Sequence, residues 1–161
     1  MDLTHLNKEN QPKMVDVGGK KITKREASAK ATMFLGKEIV ALFEGDELKT
    51  KKGPVFQTAI IAGIQGVKKT SELIPMCHPL AIQGVDISID IRDKTHIEIF
   101  CKVKIEGKTG VEMEALTGAT IAALTVYDMC KAISHKMKIE EVVLLEKTGG
   151  KSDFKSNLSQ T

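Results

Sequence analysis

Residues 85–105 read VDISIDIRDKTHIEIFCKVKI, and the reading of this run decides the fold. Val85, Ile87, Ile89 and Ile91 alternate with Asp86, Ser88 and Asp90. Ile97, Ile99, Cys101, Val103 and Ile105 alternate with His96, Glu98, Phe100, Lys102 and Lys104. A period of two sends successive side chains to opposite faces, so each run is a strand with one apolar and one wetter face. Arg92-Asp93-Lys94-Thr95 joins them as an antiparallel hairpin. Downstream, Glu106-Gly107-Lys108-Thr109-Gly110 turns into a helix over roughly residues 112–134, uncharged from Ala115 to Tyr127. A helix that is apolar or small nearly all round must be covered on both sides. The sheet covers one side; in a chain of 161 residues the other is expected to meet another subunit, which predicts an oligomer.

Upstream, residues 25–35 (REASAKATMFL) place Ala27, Ala29, Ala31, Met33 and Leu35 against Glu26, Ser28, Lys30 and Thr32. Alanine favours helix, but the period of two favours strand, and strand is the assignment. Residues 37–43 form a short helix. Gly53-Pro54 opens a longer one from Val55, with Ala59, Ala62, Gly63, Gly66 and Val67 on a small-residue face. Pro75 ends that helix, and Pro75-Met76-Cys77-His78-Pro79 is a stiff loop. Residues 139–145 are the last strand. Strand, two helices, hairpin, long helix, strand is an α+β order, since strands and helices do not strictly interleave. One domain accounts for the length: residues 14–154 are assigned to it, residues 1–13 to a flexible arm and residues 155–161 to a flexible tail.

Composition narrows the function. Hydrophobic residues make up 42% and charged residues 28%, which is ordinary for a globular chain. No apolar run is long enough for a membrane span and no signal peptide stands at the start, so a cytoplasmic enzyme is expected. A net charge of +3 with no Trp and one Tyr argues against nucleic acid. Basic pairs at Lys20-Lys21, Lys24-Arg25, Lys51-Lys52 and Lys68-Lys69 suit an anionic small molecule. Cys77, Cys101 and Cys130 lie far apart without C-x-x-C, and no His or acidic ligand sits at metal spacing, so neither disulfide nor metal site is expected.

Asp128 and Lys131, three apart, share a helix face. Burial beside Tyr127 and Met129 would raise the Asp128 pKa and the ammonium would lower it, which is one way to poise a proton carrier. Glu112 and Glu114 open the same helix, either complementing its dipole or accepting N–H groups of a guanine- or pterin-like edge. Glu114 and Asp128 are fourteen residues apart, or about 21 Å along a helix axis. A small-molecule site using both would be assembled from two copies of the chain. His78 is a candidate proton shuttle or phosphate donor. Gly149-Gly150-Lys151-Ser152 looks like the end of a P-loop but lacks its first glycine, since position 145 is leucine.

Five segments together resemble the MoaC family of molybdenum cofactor biosynthesis proteins. They are Met14-Val15-Asp16-Val17, Ile61-Ala62-Gly63-Ile64-Gln65, Leu73 to Leu80 (LIPMCHPL), Lys108 to Thr117 (KTGVEMEALT) and Val126 to Ala132 (VYDMCKA). The resemblance covers roughly residues 14–154. It implies a ferredoxin-like fold with helices on one face of an antiparallel sheet. It also implies a homo-hexamer, a trimer of dimers with sites at dimer interfaces, and the conversion of a cyclised dihydro-GTP to cyclic pyranopterin monophosphate with release of pyrophosphate. By motif, Asp128 corresponds to the catalytic acid/base with Lys131 beside it; Met76, Cys77, His78, Glu112, Met113 and Glu114 correspond to substrate contacts; Lys52, Lys68 and Lys147 correspond to basic positions. Lys51 and Lys52 leave open which of the two faces the site. No cofactor is required, with Mg²⁺ an optional aid to the lysines. A non-catalytic module that binds a nucleotide or pterin is the competing expectation, and it predicts binding without turnover.

Overall fold

A computed structural model describes residues 9–157. Residues 1–8 of the expected arm and 158–161 of the expected tail lie outside the described residues. The order is β1 (Thr23–Phe34), α1 (Lys37–Val40), β2 (Lys49–Thr50), β3 (Gly53–Pro54), α2 (Val55–Lys68), α3 (Thr70–Leu73), β4 (Gly84–Ile91), β5 (His96–Gly107), α4 (Glu112–Cys130), β6 (Lys138–Thr148) and β7 (Phe154–Lys155).

The alanine-rich segment is indeed a strand, and its position explains why. β1 is the centre of a five-stranded sheet ordered β4-β5-β1-β6-β7, every neighbouring pair antiparallel. Both of its edges are paired, and Ala27, Ala29, Ala31 and Met33 are buried, so tertiary context overrides alanine's helix propensity. Without β7 the main elements run β1-α2-β4-β5-α4-β6, the ferredoxin-like split βαβ arrangement. The hairpin turn is held by Asp93, whose Oδ1 accepts from the backbone N–H groups of Thr95 and His96.

Helices α2 and α4 pack on one sheet face, where Ile97, Ile99, Cys101, Val103 and Ile105 form the floor. Glycines let the layers meet: a Cβ on Gly63 would lie 2.9 Å from the Gly118 carbonyl oxygen, and one on Gly118 would lie 2.5 Å from Cys101 Sγ. The start of α2 is tied down by Glu47, which accepts from the N–H groups of Leu48, Phe56 and Gln57. The opposite sheet face carries ion pairs, Lys30–Glu98 at 3.0 Å and Lys102–Glu26 at 2.8 Å.

Several details differ from the sequence reading. The helix expected over residues 37–43 is a single turn, Lys37–Val40. The segment expected as one helix to Pro75 breaks at Lys69 into α2 and α3. Helix α4 stops at Cys130, not near Ser134. Residues 154–155 pair with β6, and the Ser156 N–H donates to the Leu145 carbonyl at 2.7 Å, so the expected tail begins inside the sheet.

Candidate active site

Two clefts open at the end of the sheet beside the first turn of α4. One, of about 640 Å³, is walled by Val15, Val17, Met76, Cys77, His78 and Glu114. The other, of about 470 Å³, is lined by Lys20, Lys21, Arg25, Lys108, Lys147 and Lys151 among others. They share Lys20, Thr109, Gly110, Glu112 and Lys147 and so form one continuous depression with a neutral end and a cationic end. Local structure explains the convergence. The proline-bracketed loop is closed by the Cys77 N–H donating to the Ile74 carbonyl at 3.0 Å. The turn after β5 delivers Lys108 to Gly110, and the end of β6 delivers Lys147. At Gly149 the backbone has φ 79°, and a Cβ there would run into the Lys24 carbonyl oxygen, so only glycine lets this turn press against β1.

The charges in the depression are differentiated. Glu112 and Lys147 pair at 3.0 Å. Glu114 is 4% exposed, and burial pushes its pKa up, against the lowering influence of its own backbone N–H and with a further push from Glu112. Burial and the Glu114 charge also raise the Cys77 thiol, which disfavours a thiolate nucleophile there. At the cationic end, Arg25 Nε is buried without a hydrogen-bond partner.

A second constellation lies at the other end of α4. Lys131 Nζ sits 2.7 Å from Asp128 Oδ1, and Lys52 Nζ donates to Asp128 Oδ2 at 2.7 Å and to the Asp128 carbonyl at 2.9 Å. Lys52 reaches there from the tight β2–β3 turn, which Gly53 completes with φ 110°. Of the two adjacent lysines, it is Lys52 that reaches Asp128. Hydrogen bonds from Lys131, then Lys52, bring the Asp128 pKa down to about 2, and Asp128 in turn raises Lys131. The expected burial of Asp128 is not met within a single chain, because its side chain is 55% exposed.

The sequence-predicted residues therefore fall into two groups. Met76, Cys77, His78, Glu112, Met113, Glu114 and Lys147 line the cleft, and Lys52, Asp128 and Lys131 form the distal cluster. Lys68 belongs to neither: it is exposed at the C-terminal end of α2. Sequence reasoning did not assign Lys20, Arg25, Lys108 and Lys151 to the site, although the basic pairs at 20–21 and 24–25 were the available signal. The Gly149-Gly150-Lys151 turn, rightly refused as a P-loop, nonetheless lines the cationic end. Among the described residues no three His, Cys, Asp or Glu side chains group to hold a metal, and no helix is long and apolar enough to cross a membrane.

A ferredoxin-like sheet bearing a cation-lined cleft, a carboxyl raised by burial and a lysine-clamped carboxylate has the features of an enzyme site for an anionic small molecule. The MoaC family profile matches residues 14–150. Cyclic pyranopterin monophosphate synthase of Helicobacter pylori strain HPAG1 is 55% identical over 153 residues, covering 94% of this chain and 96% of the relative. The synthase of Listeria innocua serovar 6a is 55% identical over 151 residues, covering 94% and 93%, and that of Peptoclostridium acidaminophilum is 48% identical over 152 residues, covering 94% and 95%. The chain belongs to the MoaC family, the cyclic pyranopterin monophosphate synthases, and is a lyase of molybdenum cofactor biosynthesis.

Proposed function

We propose that the chain converts 3′,8-cyclo-7,8-dihydro-GTP to cyclic pyranopterin monophosphate and pyrophosphate in a cleft completed by the Lys52–Asp128–Lys131 cluster of a second copy. The observation that carries this reading is the continuity of a neutral end, holding Glu112 and Glu114, with a cationic end centred on Lys20, Arg25 and Lys147. The guanine-derived ring presents N–H groups that carboxyl oxygens can accept. The triphosphate presents charge that lysines and Arg25 compensate. The rearrangement opens the five-membered ring, forms the pterin and pyran rings and closes a cyclic phosphate. In the last step a sugar-derived hydroxyl attacks the α-phosphorus and the bond to the β-phosphate breaks, so pyrophosphate leaves with both bonding electrons. No redox partner is needed, only repeated proton transfer and charge stabilisation.

The two carboxyls suit different tasks. Burial favours the protonated form of Glu114, which suits a proton donor, while Lys131 and Lys52 favour the ionised form of Asp128. Helix α4 holds them apart, which supports a site shared between two copies, and the exposed Leu124 and Met113 on the same helix support its outer side as a contact surface. A homo-hexamer built as a trimer of dimers is the assembly we infer. The reading needs no cofactor, and Mg²⁺ on the triphosphate would supplement the lysines. A substrate derived from GTP makes the cytoplasm its place of work.

Purified protein given the cyclo-dihydro-GTP intermediate is expected to release pyrophosphate and a pterin that becomes fluorescent on oxidation. Asp128→Asn should keep its fold and lose roughly a hundredfold or more in turnover, the range of a lost acid–base group. Absence of product at high enzyme concentration would overturn the activity, and near-normal turnover of Asp128→Asn would remove that residue from it.

A further inference from the structure

The neutral cleft has a wall that belongs to no helix or strand: Val15 and Val17, from the segment that precedes β1. The segment is held at several points. His78 Nε2 lies 2.8 Å from the Val15 carbonyl oxygen in a part-buried contact between residues 63 apart. Lys108 Nζ donates to the Gly18 carbonyl. Asp16 Oδ1 accepts from the Gly18 N–H at 2.7 Å, and the Lys20 N–H donates to the Val17 carbonyl at 3.1 Å, folding residues 16–20 into a compact turn. That turn sets Lys20 at the junction of the two clefts.

We infer that residues 14–20 form a strap over the neutral cleft and that His78 is its latch, a positioning residue that acts through the Val15 carbonyl. A carbonyl oxygen only accepts, so Nε2 must carry the hydrogen of this bond. In the neutral ring Nδ1 then has no proton to donate. The bond occupies Nε2 and so withholds that atom from exchange with substrate. Releasing the latch would loosen Val15 and Val17 as a wall and withdraw Lys20 from the cationic end. The identity of the molecule under the strap rests on the synthase reading; the latch itself does not.

The test therefore has a readout that needs no substrate. Trypsin cleavage after Lys20 and Lys21 is followed in the full chain, in His78→Ala and in His78→Gln, whose side-chain amide can donate to the same carbonyl but cannot titrate. His78→Ala should be cleaved about fivefold faster, the shift expected for one lost net hydrogen bond in a local opening equilibrium. His78→Gln should restore most of the protection. In turnover assays His78→Ala should raise KM more than it lowers kcat, and His78→Gln should recover much of the lost kcat/KM. Unchanged cleavage in His78→Ala, or equally fast cleavage in both variants, would overturn the latch. Intact protection with turnover abolished in His78→Gln would overturn the positioning role and put the ring into the chemistry. A chain that shows the protection pattern yet turns over no substrate would keep the strap and sink the synthase reading alone.

Discussion

Glu114 and Asp128 are both carboxyls on one helix, yet their surroundings drive them apart. Burial lifts Glu114, and two lysines hold Asp128 at about 2. The sign of the Glu114 effect on stability follows from linkage. Its folded pKa lies above its unfolded value, so between the two the folded state binds more protons. Stability is then fully present below the ordinary glutamate range and is lost as pH rises through the raised pKa. Glu114→Gln removes this dependence. It should melt at a higher temperature than the parent at about pH 8 and show no such advantage at about pH 4, below the ordinary glutamate pKa. Thermal melts across that range check it, and a difference that does not vary with pH would contradict a Glu114 whose pKa is raised by burial. The sequence revealed Asp128 and Lys131 as an i,i+3 pair but not the direction of the Asp128 shift. That direction depends on its exposure and on Lys52, which arrives from 76 residues away.

The helix layer depends on glycines in the same way that the site depends on charges. Gly118 has Cys101 Sγ and Val67 Cγ2 within 2.6 Å of where a Cβ would stand, while at Gly84 the nearest atom would be an ordinary 3.7 Å away. Gly118→Ala forces α4 away from both the sheet and α2 and should cost about 1–3 kcal/mol, the range for overpacking a filled core. Gly84→Ala should cost little. Urea unfolding of the two variants measures the contrast, and a Gly118→Ala variant as stable as Gly84→Ala would contradict the close helix contact. Much of this layer was legible beforehand. Alternation in residues 85–105 marks the hairpin, and Gly63 and Gly66 lie on a recognisable small-residue face. The β2–β3 hairpin and β7 were not legible, because a two-residue strand has no periodicity to read. Nor was the break at Lys69, since the residues around it, Lys68 and Thr70, are acceptable in a continuous helix.

At the scale of the molecule, α4 is both scaffold and ruler. Its first turn belongs to the cleft and its last to the Lys52–Asp128–Lys131 cluster, and the straight path between them is about 21 Å for fourteen residues. The length argument that pointed to two copies was available from sequence. The cationic end was only hinted at by the basic pairs at 20–21 and 24–25, because it gathers residues 20–25, 108 and 147–151 from the start, middle and end of the fold. If two copies face each other across a two-fold axis, each cleft receives the other copy's Asp128. Glu114→Gln and Asp128→Asn chains mixed at random then give heterodimers in which one site carries both native residues and the other carries neither. Half of the dimers are of this kind and each has one intact site of two, so about a quarter of the unsubstituted chain's activity should return from two inactive proteins. Co-expression with two different affinity tags, followed by tandem purification to isolate the mixed species, allows the activity to be assigned to it. If Glu114 and Asp128 served one site from the same chain, no site in any mixture would hold both. Mixed oligomers of verified composition would then stay as inactive as their parents, and the shared-site assembly would fall.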